Sequence, residues 1–152
     1  MLIAPGTGGG CIQDGPFVDM RNNVGPYGPP LSTTWQDYNP RCIRRDFRPE
    51  ITARSLTYVN VSNALNKPTF DEFALALDPI HSSAHAGVGG MNDDVYSGNG
   101  DPAFFALHTQ VDHLYTLWQA QDYERRRNVV TQTLTFANSK LRSSPLKFQR
   151  RV

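Results

Sequence analysis

Residues 81–119 read HSSAHAGVGGMNDDVYSGNGDPAFFALHTQVDHLYTLWQ, and this stretch holds all four histidines of the chain: His81, His85, His108 and His113. His81 and His85 are four residues apart, so on a helix both imidazoles project from one face and can share a metal ion. Such a pair alone is a weak sign of a metal site. His108 strengthens it, because it lies in a separate helical pattern and can supply a third imidazole.

The second helical pattern begins at Asp101 and Pro102, since aspartate favours the N-cap and proline the first helical position. We expect this helix to run to about Gln121. Its predicted inner face has residues at three- and four-residue spacing: Phe104, His108, Val111, Tyr115 and Trp118. A histidine on such a face either makes a hydrogen bond within the core, which is the ordinary case, or binds a metal.

The donor set favours a transition metal. Three neutral imidazoles from two helices suit copper, zinc or iron, and the lack of a nearby cysteine argues against a structural zinc site. Asp112 lies one turn beyond His108 and either orients a side chain of the site or is a plain structural carboxylate. A mononuclear zinc or iron hydrolase with Glu72 or Asp78 as its base has little support, because no base lies within the ligand motif.

The rest of the chain changes character along its length. Residues 1–47 are rich in glycine and proline and show no helical period, which predicts irregular coil packed against another part of the protein. Residues 49–65 predict one helix that opens at a first-turn proline. Residues 131–136, TQTLTF, alternate like a short strand, and the end of the chain is basic and predicts a solvated tail.

A further helix is predicted just before the histidines. Thr69 and Glu72 have the spacing of a capping box, and the apolar face that follows includes Phe73. We expect this helix to end near residues 78–79, where aspartate precedes proline. One or two separate helical turns would then carry His81 and His85 before the GVGG sequence interrupts them.

Composition excludes several classes of protein. A chain of 152 residues is at most one domain, and a net charge of +1 gives no basis for binding nucleic acid or an anionic membrane. No apolar run reaches the length of a membrane span, and the first residues do not resemble a secretory signal. Cys11 and Cys42 are either a disulfide or two reduced thiols, and Asn60 begins a glycosylation triplet of a kind that is common by chance.

The segment DPAFFALHTQVD resembles the second copper-binding signature of the tyrosinase family, and every position of that signature is filled: Asp101, Pro102, Phe104, Phe105, His108 and Asp112. The segments GTGGGCIQDGPFVDM and NPRCIRRDF resemble loops of secreted fungal tyrosinase-like proteins, both cysteines included. The resemblance covers roughly residues 5–125. It suggests a secreted protein, although the chain as written shows no signal peptide.

The resemblance implies a mainly α fold, a partial tyrosinase-type four-helix bundle with a long irregular Gly/Pro-rich N-terminal segment. Residues 1–125 would be the half of the copper-binding domain that holds the second copper, CuB, and residues 126–152 a weakly ordered basic C-terminal extension. The family binds two coppers that together bind dioxygen, and it oxidises o-diphenols to o-quinones. Its tyrosinase members also hydroxylate monophenols. The implied CuB ligands are His81, His85 and His108. The implied supporting carboxylates are Asp78, Asp101 and Asp112.

Some positions depart from the family pattern. Leu107 stands where the family often has histidine, and His113 stands where arginine is common. We interpret His113 as a surface or supporting residue, because it is rotated well away from His108 on a helix. Ser82 and Asp78 occupy the positions of an asparagine and a glutamate that accompany strong monophenol activity, which favours diphenol oxidation here.

Residues 1–80 contain no histidine, so the three ligands of the first copper, CuA, are missing. Two hypotheses follow: a copper phenol oxidase represented by its CuB half, or a truncated, non-catalytic metal-binding remnant. A phenolic substrate and dioxygen would be partners only where a CuA half completes the site. An uncovered bundle face would also promote self-association.

Overall fold

Five α-helices dominate the structure, a computed structural model that describes residues 8–23, residue 25 and residues 37–129. Two short 3₁₀ turns, Gly90–Asp93 and Gly98–Gly100, connect the two long helices. The predicted mainly α class is therefore confirmed. In chain order the helices are α1 Pro49–Ser55, α2 Tyr58–Leu65, α3 Phe70–Val88, α4 Ala103–Ala120 and α5 Tyr123–Arg126.

The N-terminal segment contains short strands where we predicted only irregular coil. Strand β1, Gly8–Cys11, pairs antiparallel with β4, Arg44–Phe47, and β2, Arg21–Asn22, pairs with β3, Arg41–Cys42. These strands are two to four residues long and their partners are distant in sequence, so no local alternation reveals them. The expectation that the segment packs against another part of the chain is correct.

The single helix predicted over residues 49–65 is two helices. Thr57 adopts an extended conformation (φ −104°, ψ 153°), and its hydroxyl accepts a hydrogen bond from the Asn60 N–H, which caps the start of α2. The Asn60 side-chain amide donates to the carbonyls of Arg54 and Ser55 at the end of α1. The helix divides because these local hydrogen bonds satisfy the backbone groups at both new ends.

Helix α3 does not end at residues 78–79 as predicted but continues through Pro79 to Val88. Pro79 is exposed, whereas Leu77 and Ile80 beside it are buried in the core. Burying these apolar side chains on both sides of the proline offsets the backbone hydrogen bond that proline cannot make. Thr69 is confirmed as the N-cap, since its hydroxyl accepts the Glu72 N–H at 3.3 Å. The Glu72 carboxylate accepts from the Thr69 hydroxyl at 2.9 Å, in place of the bond to the Thr69 N–H that a capping box has.

The hydrophobic core joins α3 to α4. Trp118 is 1% exposed, stacks on Phe73 with ring centroids 5.2 Å apart, and donates its indole N–H to the Lys67 carbonyl at 2.7 Å. Leu114 and Ala64 complete the contact from α4 and α2. This cluster fixes one end of the α3–α4 pair, and the histidines lie roughly two to three turns further along the same helices.

The C-terminal predictions fall largely outside the described residues. The predicted strand at 131–136 and residues 130–152 of the basic extension lie there. Helix α5 runs across the domain boundary that we predicted between residues 125 and 126. Within the described part of the chain, no helix combines the length and apolarity needed to cross a bilayer.

Candidate metal centre

Three imidazoles from two helices meet at one point. The Nε2 atom of His81 lies 3.0 Å from Nε2 of His85 and 3.1 Å from Nε2 of His108. His81 and His85 are one turn apart on α3, and His108 comes from α4. The continuation of α3 through Pro79 is what places both α3 histidines on one regular helix face.

These separations fit a single metal ion. Metal–nitrogen bonds of about 2.0–2.1 Å place neighbouring nitrogens roughly 2.9–3.4 Å apart at bond angles between 90° and 110°. Among the described residues, the group formed by His81, His85 and His108 is the one whose ligand atoms come close enough together to hold a metal. All three side chains are half-buried, so the group is shielded yet reachable.

Hydrogen bonds orient the His85 ring. Its Nδ1 lies 2.8 Å from the main-chain oxygen of Asn92 and 3.0 Å from the Asn92 side-chain oxygen. Both of these groups are acceptors, so Nδ1 carries the proton and donates it, which leaves the Nε2 lone pair facing the centre. Asn92 is 1% exposed and lies in the first 3₁₀ turn after α3.

His108 is held in the same way by its own helix. Its Nδ1–H donates to the main-chain oxygen of Phe104 at 2.7 Å, and the two rings stack with centroids 3.9 Å apart. Phe104 also contacts the His85 ring, with centroids 5.6 Å apart. One aromatic side chain therefore contacts imidazoles from both helices.

The charge state of His81 also suits a metal ligand. Burial lowers the pKa of His81, the imidazoles of His85 and His108 lower it further, and Asp78 acts in the opposite direction. A lowered pKa keeps the ring neutral at physiological pH, and only the neutral ring offers a lone pair to a metal. The site is therefore ready to accept a cation without first losing a proton there.

The three carboxylates predicted to support the site have different positions. Asp78 and Asp112 are exposed and line the cavity beside the histidines. Asp101 is fully buried and accepts the Ala103 N–H at 2.9 Å at the start of α4, so it caps the helix rather than contacting an imidazole. His113 is exposed and lies outside the three-histidine group.

The remaining sequence candidates lie away from the centre. Cys11 and Cys42 form a disulfide that joins β1 to β3. Glycosylation of Asn60 stays a prediction, and the side-chain amide that would carry the sugar is held by the two carbonyls at the end of α1.

An apolar trough opens beside the metal centre. It has a volume of about 450 Å³ and lies between α3 and α4, with His81 and His108 at one end. Asp78 and Asp112 are the carboxylates on its wall. The other lining residues are hydrophobic or aromatic: Phe70, Phe73, Ala74, Leu77, Val111 and Tyr115.

Sequence reasoning missed two residues that organise this region. Asn92 fixes His85, and its place in the sequence MND a few residues after a histidine pair was the available signal. Arg45 forms a bidentate ion pair with Asp101, with distances of 2.9 and 2.8 Å, and this hydrogen bonding raises the pKa of Arg45. No sequence signal links residues so far apart in the chain.

A three-histidine group on two packed helices, with the ring protons of His85 and His108 held by outer acceptors, is typical of a helical metalloprotein. The chain belongs to the tyrosinase family: the family's common central domain matches residues 2–121. Members of this family bind copper, and the described residues form part of a tyrosinase-like helical fold.

Individual relatives support the same family membership. The chain is 36% identical over 148 residues to the tyrosinase-like protein orsC of Emericella nidulans, which covers 90% of this chain and 40% of that protein. It is 34% identical over 142 residues to tyrosinase P of Aspergillus terreus, which covers 84% of this chain and 40% of that protein. A polyphenol oxidase variant from Thermothelomyces thermophila superimposes with a TM-score of 0.70 at 30% identity, over 79% of this chain and 35% of that one. The chain thus spans about two fifths of the length of these relatives.

Proposed function

We propose that this chain provides the CuB-type copper site of a phenol oxidase, with His81, His85 and His108 as the copper ligands. The observation that carries the proposal is the approach of the His85 and His108 Nε2 atoms to within 3.0 and 3.1 Å of the His81 Nε2, with the ring protons of His85 and His108 turned outward. An all-imidazole donor set suits copper in both of its common oxidation states. Membership of a copper-binding family favours copper over zinc and iron.

The trough supports an aromatic substrate. Phe70 and Tyr115 are partly exposed and offer ring surface along a wall that leads to His81 and His108, with the buried Phe73 beside them. Aromatic pairs gain energy beyond their buried area, so a flat ring is favoured there. Asp78 and Asp112 add acceptors on the same wall that suit phenolic hydroxyl groups.

The proposed reaction is the oxidation of o-diphenols to o-quinones. Two diphenol molecules each lose two electrons and two protons, and one dioxygen takes up these four electrons and four protons to form two waters. Bound copper supplies the electron transfer. The protein's part is to hold the cation with oriented imidazoles, to receive the ring in the trough, and to limit water there with apolar side chains.

The second copper site would come from polypeptide that covers the trough. In this chain residues 1–80 contain no histidine, and the chain spans about two fifths of its relatives. We propose that residues 1–125 act as the CuB half of the domain and that the trough face meets the half that holds the other copper. Where that half is lacking, two copies of the chain would associate through the same apolar face.

Copper analysis and catechol oxidation by the purified 152-residue chain test the proposal. We expect copper binding that is abolished by His85→Ala and retained by His113→Ala, a matched control because His113 is exposed and on the same helix as His108. Quinone formation by the copper-loaded chain would support the oxidase. Equal copper binding by both variants would contradict the assigned ligands.

A metal-binding module without turnover is the second candidate. It is favoured by the histidine count. Three of the four histidines belong to one group, so a single histidine remains for a second copper site. One copper per chain together with no quinone formation from catechol would establish this module and exclude the oxidase for this chain. Two coppers per functional unit would exclude the module.

A further inference from the structure

An ion pair between the partly exposed Arg45 and the buried Asp101 joins β4 to the start of α4. The Arg45 guanidinium donates to both carboxylate oxygens of Asp101 at 2.9 and 2.8 Å, and the Asp101 side chain is 0% exposed. The same carboxylate accepts the Ala103 N–H, and the Asp101 carbonyl accepts the Phe104 N–H. The orientation of the first turn of α4 therefore depends on a carboxylate whose charge Arg45 compensates.

The strand that carries Arg45 also contacts the end of α3. A side chain at Gly89 would collide with the Asp46 carbonyl, and one at Gly90 would collide with the Arg44 carbonyl. The N–H of Arg48, just after β4, donates to the Gly87 carbonyl at 2.9 Å. Strand β4 therefore lies against the short segment that joins His85 to Asn92.

Strand β4 thus touches both elements that present ligands. On one side is the segment that holds the His85 ring, and on the other is the first turn of α4, where the Phe104 carbonyl holds the His108 ring. His108 lies roughly 10 Å along α4 from Asp101, so a small tilt of the first turn is transmitted to the imidazole. The histidines come from two different helices, and β4 contacts both the end of α3 and the start of α4. A shift of β4 would therefore change the position of one helix relative to the other.

We propose that Arg45 is a positioning residue for the metal centre. Arg45 holds Asp101 in place, and this contact sets His108 at the correct distance from the two histidines of α3. This inference rests on the proposed role of the three histidines as copper ligands. Replacing Arg45 leaves a buried carboxylate without its counter-charge, which moves or loosens the start of α4. Outer groups that orient metal ligands typically change metal affinity by about 10–100-fold, and Arg45 acts one step further out, so about tenfold is expected.

The test compares Arg45→Met, Arg45→Lys and Thr57→Ala in the 152-residue chain. Arg45→Met keeps an unbranched, flexible side chain but removes the charge and the donor groups, and Arg45→Lys keeps the charge but loses the two-pronged guanidinium. Thr57→Ala is the matched control, because it removes the cap of α2 and lowers stability without touching α4 or the histidines. For each variant the measurements are the Cu(II) dissociation constant by competition with a chelator, the Cu(II) electron paramagnetic resonance spectrum, and the midpoint of urea unfolding.

We expect Arg45→Met to weaken copper binding about tenfold and to change the copper spectrum, with Arg45→Lys in between, while Thr57→Ala lowers only the unfolding midpoint. If the Arg45 variants lower the midpoint but bind copper with wild-type affinity and an unchanged spectrum, the positioning role is wrong and the ion pair is purely structural. If Arg45→Met does not fold, Arg45→Lys decides in the same way. Failure of the wild-type chain itself to bind copper would instead overturn the proposed function and this inference with it.

Discussion

Substitution of Asn92 offers a graded test of how the metal centre is built. In the structure the His85 Nδ1–H has two acceptors, the Asn92 main-chain oxygen at 2.8 Å and its side-chain oxygen at 3.0 Å. Asn92→Ala removes only the second acceptor. The net worth of one such hydrogen bond is about 1 kcal/mol, which corresponds to about a fivefold weaker copper affinity.

Asn92→Asp should act in the opposite direction. The Asn92 side-chain nitrogen is buried and makes no hydrogen bond within the described part of the chain, so replacing it with oxygen breaks no contact there. A carboxylate accepts the His85 proton in a stronger, charge-assisted bond and makes the imidazole a better donor to a cation. The buried charge also destabilises the metal-free protein, so copper should raise the melting temperature more in this variant than in the wild type.

The assay is the Cu(II) dissociation constant by chelator competition, together with melting curves with and without copper. Asn99→Ala is the control, because Asn99 is exposed in the second 3₁₀ turn and should leave both quantities unchanged. The reasoning is refuted if Asn92→Ala and Asn92→Asp change the copper affinity in the same direction, or if neither differs from the control.

The remaining predictions concern stability. Trp118→Phe removes the indole hydrogen bond to Lys67 and part of a fully buried side chain, so urea unfolding should show a loss of about 2 kcal/mol. Thr69→Ala removes the cap of α3 and should cost about 1 kcal/mol by the same measurement while leaving copper affinity unchanged. Reducing the Cys11–Cys42 disulfide, whose cysteines are 31 residues apart, should lower stability by about 3–4 kcal/mol; an unchanged midpoint after full reduction would contradict this.

The features that the sequence predicts correctly are those that depend on residues close to one another in the chain. A histidine pair at helical spacing and a third histidine on another helix face predict the three-histidine group that the structure brings together. The same periodicity predicts the apolar face of α4 that includes Trp118. The cap of α3 is predicted for the same reason, since Thr69 accepts the backbone N–H of a residue three positions away. The start of α4 lies one residue later than predicted, with Pro102 at the N-cap, and the Asp101 side chain accepts the Ala103 N–H. Such features depend on neighbours in sequence, which a single chain displays directly.

What was missed depends on contacts distant in sequence. Pro79 predicts the end of a helix locally, and only the burial of Leu77 and Ile80 against the rest of the core keeps α3 continuous. The pairing of β1 with β4 and the ion pair between Arg45 and Asp101 join segments tens of residues apart. Their stabilising energy appears only after the helices have packed, so no local signal predicts them.

Helices α3 and α4 contact each other in two different ways along their length. Near Phe73 and Trp118 the pair is closed by aromatic burial, whereas at the other end the half-buried imidazoles of His81 and His108 approach with their nitrogens facing one another. The Nδ1 protons of His85 and His108 are held by outer acceptors, so the Nε2 lone pairs of both rings face His81 and can be shared with a cation. Burial of the aromatic side chains therefore stabilises the helix pair and keeps the three imidazoles preorganised. Bound copper would further stabilise the contact between the same two helices.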